Sequence, residues 1–216
     1  MVKATENLTE IGAWIRERLD AKNHARERAL STSRETIRFC ANSIRAVHRA
    51  EFEEATLLRA EADTRHRELK AGLVDFPEIY FAGYVQDAQK EFAEASLTYA
   101  IVKGEPLPHP QELDVEAAAY LNGLAEAIGE MRRQVLDVLR AGDIVRAEEI
   151  LDLMDEVYYS LVTFDYPDAV TGGLRRNTDM VRGVLERTRG DLTLALSQRS
   201  LEKALEATRQ ALAGGQ

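Results

Sequence analysis

A chain of 216 residues, 30% charged and 45% hydrophobic, has the size and composition of one domain able to bury a substantial core. No run is apolar enough to span a bilayer and the N-terminal stretch lacks a signal-peptide core, so no membrane association is expected. The single cysteine, Cys40, excludes an internal disulfide framework and fits a reducing, cytoplasmic setting.

The net charge of −9 is unevenly spread. Residues 1–50 carry 10 Lys/Arg against 6 Asp/Glu, residues 51–160 carry 10 against 24, and residues 161–216 carry 8 against 7. Such an acidic middle excludes a protein coated all over by nucleic acid, but leaves room for a local basic site. Arg34, Arg38, Arg45 and Arg49 in the first third, with Arg175 and Arg176 in the last, are the candidate nucleic-acid contacts. Scattered arginines on solvated helix faces are the plainer alternative.

Enrichment in Ala, Glu, Leu and Arg with only five Pro predicts an all-α fold. No Gly or Pro falls between Gly12 and Gly72, and Leu30, Ser33, Ile37, Cys40, Ile44 and Val47 step by three and four along one helix face. Near residue 50, His48-Arg49-Ala50-Glu51-Phe52 looks like the later Leu139-Arg140-Ala141-Gly142-Asp143, where a helix-stopping Gly precedes an Asp cap. Both segments therefore predict helical hairpins, the second helix running to about Lys70.

Asp75-Phe76-Pro77-Glu78 predicts an Asp-capped helix running to about Gly104. A short Pro-rich loop at 105–110 follows, and Asp114 is expected to cap a helix to about Arg140. Ile144, Ala147, Leu151, Met154, Tyr158 and Leu161 mark the next helix. Asp165-Tyr166-Pro167 and Gly172-Gly173 predict a break, and Arg189-Gly190-Asp191 another, before a final helix over 191–213 suited to an oligomer contact. The expected architecture is a bundle of about seven to eight helices, with 1–192 as the main domain and 193–216 as its helical extension.

The chemistry lies in two pairs of glutamates set within apolar runs. Glu91 and Glu94 share one helix face, Glu126 and Glu130 another, and the short connection lets the two helices run antiparallel with both pairs facing one gap. A buried carboxylate requires a partner. The pairs either ligate one or two Mg²⁺ or Mn²⁺ ions, or are neutralised by a cation such as Arg132 or Arg133. No His stands at Glu-x-x-His spacing, which tells against a di-iron site, and His24, His48, His66 and His109 match no metal or triad spacing. Gly172-Gly173 lacks the Lys-Ser or Lys-Thr of a phosphate loop.

Several segments in order carry a resemblance. Asp114-Val115-Glu116, Ala119-Tyr120-Leu121-Asn122-Gly123-Leu124-Ala125-Glu126 and Gly129-Glu130-Met131-Arg132 resemble the central helix of the translin family. Ala141-Gly142-Asp143 is similar to the turn after it, and Gly173-Leu174-Arg175-Arg176-Asn177-Thr178-Asp179 with Arg189-Gly190 to the family's C-terminal helix. Phe76-Pro77 fits the start of the preceding long helix. The match covers about residues 25–192 and resembles the Trax-like (translin-associated factor X) branch. Glu91-Phe92-Ala93-Glu94-Ala95 stands where that branch has Glu-Tyr-Val-Glu-Ala, Glu130 stands at its Gly-Glu position, and Glu126 where Trax commonly has Asp.

The resemblance implies a translin-like fold assembling into a hollow homo-oligomer, usually an octamer, that handles single-stranded RNA. It also implies that Glu91, Glu94, Glu126 and Glu130 are catalytic and metal-binding, making a Mg²⁺-dependent endoribonuclease. The alternative is a non-catalytic, translin-like protein that binds single-stranded RNA or DNA. A helical nucleotide pyrophosphohydrolase and a helical-hairpin scaffold are the more distant readings.

Overall fold

The computed structural model describes residues 5–213, apart from the side chain of residue 211; the ends of the expected segments, 1–4 and 214–216, lie outside the described residues. All regular structure among the described residues is helical. Six long helices, α1 (Leu8–His48), α2 (Phe52–Ala71), α4 (Gly83–Lys103), α6 (Ala117–Arg140), α7 (Ile144–Leu161) and α9 (Leu174–Ala213), are joined by three single-turn helices, α3 (Pro77–Tyr80), α5 (Pro110–Leu113) and α8 (Asp168–Thr171). The bundle thus has nine helices among the described residues, the short turns being the excess over the expected seven or eight.

Helix α4 is the centre. Every residue from Phe92 to Ile101 is buried, as expected of a helix with apolar groups on all sides. It packs against α1, α2 and α6, and α6 in turn packs against α7 and α9. The main core joins Phe92, Leu97, Ile128, Met131, Met154, Leu161 and Leu185 from four of these helices. The predicted stripe on α1 buries Ser33, Cys40, Ile44 and Val47, and that on α7 buries Ile144, Ala147, Leu151, Met154 and Leu161.

Both hairpins form, by different means. Gly142 adopts a left-handed φ of 81° and the Asp143 carboxylate accepts from the Arg146 N–H at 3.1 Å. At the first hairpin the left-handed residue is Ala50, φ 57°, closed by the Glu51 N–H donating to the Ala46 carbonyl at 2.9 Å. The left-handed position falls at the fourth residue of the second segment but the third of the first.

Four boundaries differ from expectation. The helix beginning at Pro77 stops at Tyr80 and α4 starts afresh at Gly83; Phe76, not Asp75, occupies the cap, with no side-chain bond. Asp114 does not cap α6: it takes a left-handed φ of 54° at the end of α5, and Glu116 precedes α6. Lys70 holds Asp114 there, its ammonium 2.6 Å from the carboxylate and 2.8 Å from the carbonyl. Gly190 breaks nothing, because α9 runs unbroken through it; buried Thr188 and Leu192 on either side pack that stretch onto the bundle. There is accordingly no separate helix at 191–213. At both ends of the fold single helices project: α1 is almost wholly exposed up to His24, and α9 likewise beyond Leu192.

Among the described residues no helix is long and apolar enough to cross a membrane.

Candidate metal centre

Gly123 of α6 sets the geometry. A Cβ at this position would lie 2.6 Å from the Lys90 carbonyl and 2.9 Å from the Ala93 Cβ and the Glu94 nitrogen. Only a residue without a side chain lets the two backbones come so close. One turn further along α6, Glu126 is therefore brought against the face of α4 that carries Lys90, Glu91 and Glu94.

Glu91, Glu94 and Glu126 converge: each offers a carboxylate oxygen, and these three atoms all lie within 4.8 Å of one another. Glu94 is 8% exposed and has neither a hydrogen-bond nor an ion-pair partner among the described residues. Burial, then the charges of Glu91, Glu126 and Glu130, push its carboxyl up to about 8. Burial also raises Glu91, with Lys90 opposing.

The cation in this cluster is Lys90, and not Arg132 or Arg133. Its ammonium lies 2.7 and 2.8 Å from the two Glu126 oxygens and 3.3 Å from Glu91. Arg132 turns to α9 instead, donating to Thr188 Oγ1 at 3.0 Å and Asp191 at 2.7 Å. Burial works against the Lys90 charge, but the carboxylates of Glu126 and Glu91 outweigh it and raise the ammonium pKa. Lys90 adjoins Glu91 in the same motif, but its ammonium reaches Glu126 only across the packed α4–α6 pair, which spacing along the chain does not reveal.

Glu130 stands apart from the three. Its carboxylate pairs with Nε2 of His48, the last residue of α1, whose ring is only 2% exposed. The ionised carboxylate can only accept, so His48 Nε2–H donates. That bond, acting against burial, holds the Glu130 carboxyl below its ordinary value. Glu130 remains near enough for its charge to bear on Glu94. The expected quartet is thus three clustered carboxylates with a fourth fixed beside them. His48 lies 82 residues before Glu130, a separation at which no spacing rule operates.

Cys40 lies beneath the cluster, fully buried; burial and the charges of Glu91 and Glu94 push its thiol up, so it is inert. On the outer side a cavity of about 640 Å³ opens, bordered by Phe81, Asp87, Lys90, Glu116, Asn122 and Glu126. Asn122 is buried and braces this wall by donating to the Ala118 and Thr171 carbonyls at 2.8 and 2.7 Å while accepting from Asn177 at 2.8 Å.

The donor set fits a hard divalent cation. It is made of carboxylate oxygens alone, it carries more negative charge than Lys90 neutralises, and its most buried member has no partner. Arg34, Arg38 and Arg45 line one exposed face of α1, and Arg49, the residue that ends it, is paired to Glu51 at 2.6 Å. Arg175 and Arg176 are exposed at the start of α9; Arg175 borders a different cavity, with Tyr158, Phe164 and Tyr166.

No family model matches the chain. It is 34% identical over 186 residues to the uncharacterized protein MJ0175 of Methanocaldococcus jannaschii, spanning 86% of this chain and 82% of that one. Among solved structures it is 36% identical to AfC3PO, in a crystal structure of that protein and in its complex with duplex RNA, with a TM-score of 0.81 over 87% of this chain and 97% of that one. The apo form of NeC3PO, 21% identical, superposes with a TM-score of 0.70 over 90% and 98% of the two chains and shares the fold. With that identity sustained across nearly the whole of AfC3PO, the chain belongs to the translin family, in which the C3PO proteins fall.

Proposed function

We propose that this protein is a metal-dependent endoribonuclease of the Trax-like kind, cleaving single-stranded RNA within a homo-oligomer. The observation that carries this reading is the convergence of Glu91, Glu94 and Glu126 from two facing helices around a buried, unpartnered carboxylate. These three would hold Mg²⁺ or Mn²⁺. When bound, such an ion supplies Lewis-acid stabilisation of a phosphate oxygen and makes a nearby water more acidic.

Glu130 is the proton acceptor in this reading rather than a ligand. Its carboxylate, positioned beside the cluster by the bond from His48, is the one of the four left free of the ion to take a proton from water. The exposed arginines, Arg34, Arg38, Arg45, Arg49, Arg175 and Arg176, neutralise flanking phosphates and make binding fall with salt. RNA as the ligand class is supported by the complex of AfC3PO with duplex RNA. Assembly is supported by the apolar residues exposed on the projecting helices, Leu8, Ile11, Ile15 and Leu19 on α1 with Leu201 and Leu205 on α9. An octamer is the assembly the family resemblance implies.

A binding-only role is the second reading, favoured by the presence of Lys90, which already neutralises part of the cluster. One assay separates the two. Labelled single-stranded and duplex RNA are incubated with the wild type, Glu91→Gln and Glu126→Gln, in Mg²⁺ and in EDTA. The nuclease reading expects cleavage of the single strand by the wild type in Mg²⁺ alone. RNA bound but left intact under every condition establishes the binding-only role.

A further inference from the structure

Lys90 occupies an uncommon place. Its side chain borders the carboxylate cluster and the 640 Å³ cavity at once, and its ammonium bridges Glu91 and Glu126 from opposite helices. The other ionisable residues bordering that cavity, Asp87, Glu116 and Glu126, are all acids, so Lys90 is the one cation among them. An RNA phosphate entering such a cavity is repelled unless a cation meets it there. A divalent ion among the three carboxylates and an ammonium bridging two of them compete for the same oxygens. The lysine stem is four flexible carbons long and already one-fifth exposed, so its head can move without disturbing α4.

We propose that Lys90 is a built-in counterion that exchanges with the metal: it bridges Glu91 and Glu126 while no divalent ion is bound, and turns into the adjoining cavity to hold an RNA phosphate once one is. This rests on the metal site proposed above and adds its regulation. Metal binding and RNA binding are thereby coupled, because the ion releases the cation that the substrate needs. A chain of three acids without Lys90 binds the ion more tightly, yet gains no phosphate contact from doing so.

The test uses the full-length protein, with Lys90→Met and Lys90→Gln, checked for native helicity and melting. Mn²⁺ affinity is measured by calorimetry, and binding of a hydrolysis-resistant phosphorothioate RNA by fluorescence anisotropy, in Mn²⁺ and in EDTA. Loss of a charge-assisted bond to Glu126 predicts Mn²⁺ binding tightened by about tenfold or more in both variants. Binding of the RNA weakens in Mn²⁺ and is unchanged in EDTA, where the wild-type lysine is occupied by the carboxylates. Mn²⁺ affinity equal in all three proteins, or an RNA loss of the same size in EDTA, overturns the exchange but leaves the metal site standing. Absence of Mn²⁺ binding in all three overturns the metal site and the exchange together.

Discussion

The backbone of Gly123 rests against the carbonyl of Lys90, so close that a single added methyl would stand 2.6 Å from that oxygen. The separation of α4 and α6, and with it the spacing of the carboxylates they carry, depends on this missing side chain. Gly123→Ala is expected to push the helices apart and cost about 1–3 kcal/mol of stability, as overpacking in a tight core does. Urea denaturation measures the cost. Mn²⁺ affinity should fall with it, since Glu126 is carried away from Glu91 and Glu94.

Glu94 gives the fold a pH dependence of definite sign. An unfolded glutamate loses its proton near 4.5, whereas folded Glu94 keeps its own up to about 8. Between those values the folded state binds more protons, so this residue makes stability fall as pH rises from 4.5 through 8. The effect is on the order of a few kcal/mol across that window. Melting temperatures of wild type and Glu94→Gln at pH 5, 7 and 9 in EDTA should converge at acid pH and separate at alkaline pH, with the variant the more stable.

Much of this could be read from the residues before any coordinates. The α1 and α7 stripes and the shared helix face of Glu91 and Glu94 are local patterns set by three- and four-residue spacing, and the Gly142–Asp143 hairpin by a helix stop and a cap side by side. What escaped was non-local or energetically balanced. Asp114 reads as a cap in isolation, yet Lys70, 44 residues away, claims its carboxylate and carbonyl. Arg189-Gly190-Asp191 reads as a break, but packing of Thr188 and Leu192 outweighs one helical glycine. The Lys90 bridge and the His48–Glu130 pair arise only when helices distant in sequence are laid side by side.

His48 ties down Glu130 across two helices. Its removal in His48→Ala strips a half-buried carboxylate of its donor, which is expected to cost about 2–3 kcal/mol. Glu130 is held below its ordinary value, so its stabilising contribution is full above about 4.5 and is lost as pH falls through the lower folded value. In His48→Ala that acid-side loss should shrink, as thermal melts between pH 3 and 7 would register. RNA cleavage should drop while Mn²⁺ affinity changes little, because Glu91, Glu94 and Glu126 are untouched.

Ala50 carries backbone strain that a glycine would relieve. It holds a left-handed φ of 57° at an exposed turn, where the matching hairpin uses Gly142. A left-handed alanine costs roughly 1 kcal/mol relative to glycine. Part of that is offset by the greater freedom of glycine in the unfolded chain. Ala50→Gly is expected to raise stability by some tenths of a kcal/mol, seen as a slightly higher urea midpoint with an unchanged slope.

Whether Glu91, Glu94 and Glu126 together hold a divalent cation is measured directly by a Mn²⁺ titration followed by calorimetry or electron paramagnetic resonance. Wild type, Glu94→Gln and the exposed control Glu148→Gln are compared at pH 8. Saturable binding in the wild type and the control, lost in Glu94→Gln, is the predicted result. Saturation of Glu94→Gln at wild-type affinity, or no saturable binding in the wild type, would contradict it.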